Sequence, residues 1–165
     1  MERLFREMIG FYAGDPHQIQ HFAKVHGFAR MIGIGERLEE ETLQILEMAA
    51  IVHDIGIKPA LEKYDSAAGP HQELEGPPLA REMLARLGYP PHITERVCHL
   101  VGHHHTYTGI DGMDYQILVE ADFLVNMHEG KMSAEGIDAT LRKIFRTPTG
   151  SAYGRTMFLG GDGCD

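Results

Sequence analysis

Residues Ala49 to Lys58 read AAIVHDIGIK, an apolar helical run that ends on adjacent His53 and Asp54 and meets Gly56 and Pro59 at once. Two ionisable side chains in such surroundings constrain the fold more than any other feature of the chain. A carboxylate buried without a partner costs several kcal/mol, so Asp54 requires a cation or a hydrogen-bonded network beside it. A divalent metal would satisfy both residues, because neutral imidazole and carboxylate are its ordinary ligands.

Helical periodicity dominates the rest of the chain, and no set of alternating β runs, repeat or low-complexity segment competes with it. The fold class expected is therefore all-α. Asp15-Pro16 with Gln18 at the capping-box position starts a helix that runs to about Ile32, with Phe22, Val25, Ala29 and Ile32 on one side. A further helix spans about Glu39 to Ile55, its first turn acidic and Leu43, Leu46, Ala50 and His53 sharing a face. Residues 58 to 75 read as a loop, with Pro70-His71 in its middle. Helices are expected from Pro77 to Leu87, from near Pro91 to the His103-His104-His105 run, from an Asp114 cap through Tyr115 to about His128, and from Ser133 to about Arg146. The end, from Thr147, reads as a short helix and a loose tail.

Composition narrows the classes of function. With 165 residues and 43% hydrophobic content the chain fits one domain with a core of its own. No stretch approaches the ~20 apolar residues of a membrane span, and the N-terminal segment lacks the apolar centre of a secretory signal, so no membrane partner and a cytoplasmic location are expected. Cys98 and Cys164 are too few and too far apart for a disulfide framework and are expected to be free thiols. The net charge of -9, without a basic run, argues against a nucleic-acid duplex as partner. A phosphorylated small substrate stays open, since a bound metal supplies positive charge locally. Eleven histidines, several inside helical patterns, point the same way.

Asp122, in LVEADFLV, is the second anomaly, a carboxylate among Leu118, Ala121, Phe123, Leu124 and Val125. Alone it reads equally as a buried Asp satisfied by an Arg, a Tyr hydroxyl or a helix N-terminus. His21 beside Phe22 and Val25 likewise reads alone as a packed or capping side chain. Together, His21, His53, Asp54 and Asp122 lie on three expected helices, each on or near the inward side, and one shared centre accounts for all four.

That ordered set resembles the HD-domain superfamily of metal-dependent phosphohydrolases. The family has an early His on a helix, a His-Asp pair closing a later helix and a distant Asp on an apolar helix. Here these positions fall on His21 in HFAKVHGFA, His53 and Asp54 in AAIVHDIGIK, and Asp122 in ILVEADFLV, over most of residues 15 to 128. The resemblance implies a compact all-α bundle of about six to eight helices, with residues 1–150 as a single HD domain and 151–165 as a short helix or tail. It implies that all four residues ligate one divalent ion, with Mn, Fe, Co, Ni and Zn all compatible with a mixed nitrogen and oxygen shell. It implies hydrolysis of a small phosphorylated compound, foremost a nucleotide, by water activated on that ion, with Asp54 or Asp122 accepting its proton.

Other residues take roles by their place in the same pattern. His103 and His104 are candidates to bind substrate or serve as general acid, and Lys58, directly after the pair, to reach a phosphate at the mouth of the site. Relatives with two metals add a His in the loop after the pair and two more later, which makes His71 a candidate, while His105 reads as a solvated helix end. His99 reads as surface, His17 and His26 as structural or exposed, Lys24 as a weaker phosphate candidate, and Glu75 as a helix-start residue. Thr106, Tyr107 and Thr108 offer hydrogen-bond donors near the same end. Apolar positions near Met1 to Phe11 leave room for a homodimer. No GxSxG, phosphate-cradling GxxxxGK[ST] or catalytic-cysteine context supports other chemistry. Two alternatives accompany this reading: a two-iron oxygenase, which needs a second ion on the extra histidines, and a non-enzymatic sensor that keeps the metal for folding and binds a nucleotide.

Overall fold

The computed structural model describes residues 1–160, in which nine α-helices and a short 3-10 turn carry the ordered chain and no strand occurs. Cys164, expected as a free thiol, lies outside the described residues. The first helix, α1, Glu2–Phe11, turns Leu4 and Met8 fully into the core and leaves Met1 and Ile9 at the surface.

Helix α2, Pro16–Gly35, begins as the sequence expects, Asp15 accepting a hydrogen bond from the Gln18 backbone N–H at 3.0 Å. Its buried stripe of Gln18, His21, Phe22, Val25, Ala29 and Ile32 has the i, i+3, i+4 spacing of one helix face. Helix α3, Glu40–Val52, is the central element, with every residue from Ile45 to Val52 buried, and it packs against α2, α6 and α7. The sequence pattern carries it to about Ile55, but the chain tightens at His53–Gly56 into a 3-10 turn. Gly56 explains why that turn lies so deep. A Cβ there would sit 2.4 Å from the Gln72 carbonyl oxygen and 2.9 Å from the Gly76 nitrogen, so only glycine lets the two backbones meet.

The expected loop over 58 to 75 is mostly helix. Residues Ile57–Tyr64 form α4, in which Pro59 sits in the first turn where no N–H donor is needed. Asp65 closes α4 at a positive φ of 51°, and Gly69–Arg86 forms α5, with Pro70 in its first turn and Pro77-Pro78 inside it. Pro77 therefore starts nothing; tertiary packing against α6 and the 3-10 turn carries the helix through two missing N–H groups. Helix α6, Pro91–Val101, precedes a loop to Gly112. Helix α7, Met113–Glu129, begins at Gly112 rather than an Asp114 cap; Asp114 instead accepts from its neighbour Tyr115 N–H at 2.9 Å and from Arg96.

Helix α8, Ala134–Ile144, is capped by Ser133, and α9, Pro148–Leu159, by Thr147. The fully buried Glu120 of α7 fixes the junction between them. One of its oxygens accepts the backbone N–H groups of Arg146 and Thr147 at 2.6 and 2.9 Å and the Gln116 amide at 2.7 Å, while the other accepts the Thr147 hydroxyl. No helix among the described residues is long and apolar enough to cross a membrane.

Glu120→Ala strands the buried Thr147 N–H, worth about 1–3 kcal/mol when left unmade, and the part-buried Arg146 N–H, so urea unfolding should show a loss of about 1–3 kcal/mol. A loss below about 0.5 kcal/mol would show that water replaces the carboxylate without cost.

Candidate metal centre

Three elements bring the four expected ligands together. His21 comes from the second turn of α2, His53 and Asp54 from the 3-10 turn, and Asp122 from the middle of α7, and all four are buried. The Nε2 atoms of His21 and His53 lie 3.3 Å apart, and each is 3.3 Å from Asp54 Oδ2. Asp122 Oδ1 reaches the same two nitrogens at 3.2 and 3.5 Å. His21, His53 and Asp54 form the tight group, and Asp122 joins it through the imidazoles. A 3.3 Å triangle is the separation of neighbouring donors about 2.1 Å from a common ion.

Hydrogen bonding on the far side of each ring decides what faces the centre. His53 Nδ1–H donates to the Ala50 carbonyl at 2.9 Å, and His21 Nδ1–H donates to Glu129 Oε2 at 2.8 Å. Neutral rings so fixed present bare Nε2 lone pairs inward, the arrangement that second-shell partners impose on metal-binding imidazoles. Asp122 Oδ1 is buried without a hydrogen-bond donor. Lone pairs aimed at carboxylates repel unless a cation or protons lie between them. Burial opposes charging either imidazole, but the Asp122 and Asp54 carboxylates outweigh it, so the His21 pKa is raised and that of His53 raised well above the ordinary value. Burial likewise pushes Asp54 and Asp122 upward, and the imidazoles reverse this and hold both carboxyls well below their usual range. The donor set fits a divalent ion.

A second group adjoins the first through Asp54. His104 is buried, donates from Nδ1–H to the Val101 carbonyl at 2.8 Å, and places Nε2 3.5 Å from Asp54 Oδ1 with no hydrogen-bond partner. His105 completes it, with donor atoms of Asp54, His104 and His105 within 4.8 Å of one another. His105 is not the solvated helix end expected: its ring packs on His104 at 4.0 Å, and burial and His104 lower its pKa to about 4. Glu73 causes this by accepting the His105 backbone N–H and the Thr106 hydroxyl, each at 3.0 Å, which folds the loop back onto α5.

Other expected residues lie elsewhere. His103 is exposed, its Nδ1–H donating to the His99 carbonyl at 2.7 Å and its ring 4.3 Å from that of His99, outside both groups. Lys58 is exposed on α4 with its ammonium 5.4 Å over the Phe11 ring, also outside both groups. His71 occupies the first turn of α5 rather than a loop, stacked on Tyr64 at 4.3 Å with a buried, unpartnered Nδ1. Glu75 stands well inside α5, paired with Lys63 and Tyr64, and is no helix-start residue. His26 pairs with Glu47, and Lys24 with Glu129.

Three supporting residues escaped the sequence reading. Gln18 uses its side chain to donate to Asp54 Oδ2 at 2.7 Å instead of completing a capping box. Tyr12 donates its hydroxyl to the Asp54 carbonyl at 2.6 Å, and Glu129 orients His21. Helical spacing held two of these signals, since Gln18 is one turn before His21 and Glu129 two turns after Asp122. Tyr12 carried none.

A family model described as "HD domain" matches residues 19–141, well over half of the chain, and the chain belongs to that family. Among solved structures, one crystallised from an uncultured Thermotogales bacterium and described as a predicted HD superfamily hydrolase is 25% identical. It aligns over 96% of this chain and 84% of its own with a TM-score of 0.64. None of the curated proteins compared with the chain matches it.

Because the metal-free imidazoles have raised pKa values, a divalent ion must displace protons from them. Calorimetric titration with Mn²⁺ should show affinity falling as pH is lowered, the decline beginning above the ordinary histidine range; affinity constant down to pH 6 would contradict the assignment of His21 and His53. Glu129→Ala releases the His21 ring and should weaken Mn²⁺ binding by about 10–100-fold. Unchanged affinity would show that the α2 backbone alone orients the ring.

Proposed function

We propose that the chain is a metal-dependent phosphohydrolase acting on a small phosphorylated compound, foremost a nucleotide. The observation that carries this reading is the convergence of bare imidazole nitrogens on two buried carboxylates within an HD-family bundle. His21, His53, Asp54 and Asp122 would hold the ion. When bound, it supplies charge to a phosphoryl oxygen and acidifies water, which allows hydrolysis near neutral pH. Asp54 has its Oδ2 held by Gln18 and its Oδ1 facing His104, so it is anchored at one oxygen and can pass a proton at the other. His104 Nε2 carries a free lone pair to receive it, because Nδ1–H is committed to Val101. His103 and Lys58 stand outside both groups and carry no step of this reading.

A second ion held by the Asp54, His104 and His105 group is what the two-iron oxygenase alternative requires. A metal-to-protein ratio near one without iron absorption would count against it. Tight nucleotide binding without turnover would favour a sensor.

A panel of phosphomonoesters, diesters and nucleotides, assayed for phosphate release with each of Mn, Fe, Co, Ni and Zn, tests the reading directly. Asp54→Ala should lower both metal binding and turnover by more than ~100-fold while circular dichroism shows the helices intact. Full metal occupancy in that variant would overturn the ligand assignment. His103→Ala should leave turnover within about threefold, the range of substitutions that remove no site contact.

A further inference from the structure

Beside the metal cluster, on the Nδ1 side of His21, a cavity of about 560 Å³ lies among α2, the end of α7, α8 and α9. That is room for a nucleotide-sized molecule. His17 and Lys24 reach it from α2, His128 from α7 and Lys131 from the turn that follows, so four of its five ionisable side chains are basic in a chain of net charge -9. The fifth, Glu129, is engaged: one oxygen accepts from His21 Nδ1–H at 2.8 Å and the other from Lys24. Lys131 and His128 form no ion pair among the described residues, which leaves the cavity an excess of positive charge. Met132, Ile137 and Phe158 supply an apolar wall.

The end of α7 sets the position of Lys131. Its φ is 49°, in the left-handed region that glycine adopts freely and a lysine adopts at a cost. That conformation closes α7, the Lys131 N–H donating to the His128 carbonyl at 3.2 Å and the Met132 N–H to the Met127 carbonyl at 3.1 Å, and it leaves the ammonium at the rim of the cavity.

We propose that this cavity is a binding site for a phosphate-bearing small molecule, its phosphoryl oxygens paired by Lys131, Lys24 and the flanking histidines and its organic part laid against Met132, Ile137 and Phe158. The site is separate from the Asp54 cluster and requires no hydrolysis. Glu129 borders both, so an anion that draws Lys24 toward itself also changes the surroundings of the His21 ring.

Adenosine monophosphate serves as probe, followed on the full chain by NMR of the methionine methyl groups, with adenosine and inorganic phosphate as controls. Saturable shifts of the Met127 and Met132 methyls are expected, with each control binding more weakly. Lys131→Gly should weaken binding about tenfold, the factor carried by one charge-assisted hydrogen bond. Its thermal midpoint should not fall, because glycine fits the turn. Asp54→Asn should leave affinity within about twofold, since the lost charge lies in the other site. No shift at Met132, equal affinity in Lys131→Gly, or loss of binding in Asp54→Asn would each overturn the proposal. None of these results bears on whether Asp54 is required for phosphate release.

Discussion

Asp54 and Asp122 lie inside the bundle, each within 3.5 Å of imidazole nitrogens whose protons are held on the opposite side of the ring. Charge of this kind, taken out of water, costs several kcal/mol for each group unless it is compensated at once. The interior of this protein is therefore stable only as a charged assembly, in which a cation or protons unite α2, the 3-10 turn and α7. The packing of α2 on α3 and α7 serves the same end, because a slip of any one of them separates donors that meet within a single ångström-scale tolerance.

Around that centre, polar groups that perform no chemistry determine where the chemistry can occur. Arg96 forks between Asp111 and Asp114, with all four N–O distances between 2.7 and 2.9 Å, and ties the loop after α6 to the start of α7. Glu73 holds the same loop from α5. Between the end of α6 and the Glu73 anchor, His104 and His105 face inward, while His103, one residue earlier, faces His99. A run of three identical residues thus divides into two roles because the backbone is pinned at both ends.

Glu47 and Glu120 show how the fold tolerates further buried acids. Glu47 is met by His26 and Arg30, and Glu120 by backbone N–H groups at the α8–α9 junction. Each is satisfied locally by fixed hydrogen-bond donors. The Asp54 cluster differs, since two of its imidazoles spend Nδ1–H on Glu129 and Ala50, so that a cation or added protons must lie between each Nε2 and the carboxylates, and Asp122 Oδ1 lacks a donor. That contrast, within one chain, separates acids that serve the fold from acids that await a ligand.

The sequence by itself determined the helical class, the inward placement of His21, His53, Asp54 and Asp122, and the family, because these depend on local periodicity and on residue types that are costly to bury. It also carried Gln18 and Glu129 in helical register with the ligands, where a reading of faces could have found them. The stretch from 58 to 78 misled: Pro59 and Pro70 stand in the first turns of helices, and Pro77 and Pro78 argue locally against a helix that only the packing of α5 on α6 and the 3-10 turn carries through. The tertiary structure alone decided that His105 and not His103 joins Asp54, that Lys58 lies over Phe11, and that Tyr12 supports the Asp54 carbonyl. Those outcomes rest on contacts between residues distant in sequence, Glu73 with His105 and Tyr12 with Asp54, and no local pattern encodes which distant partner a side chain or a loop will meet.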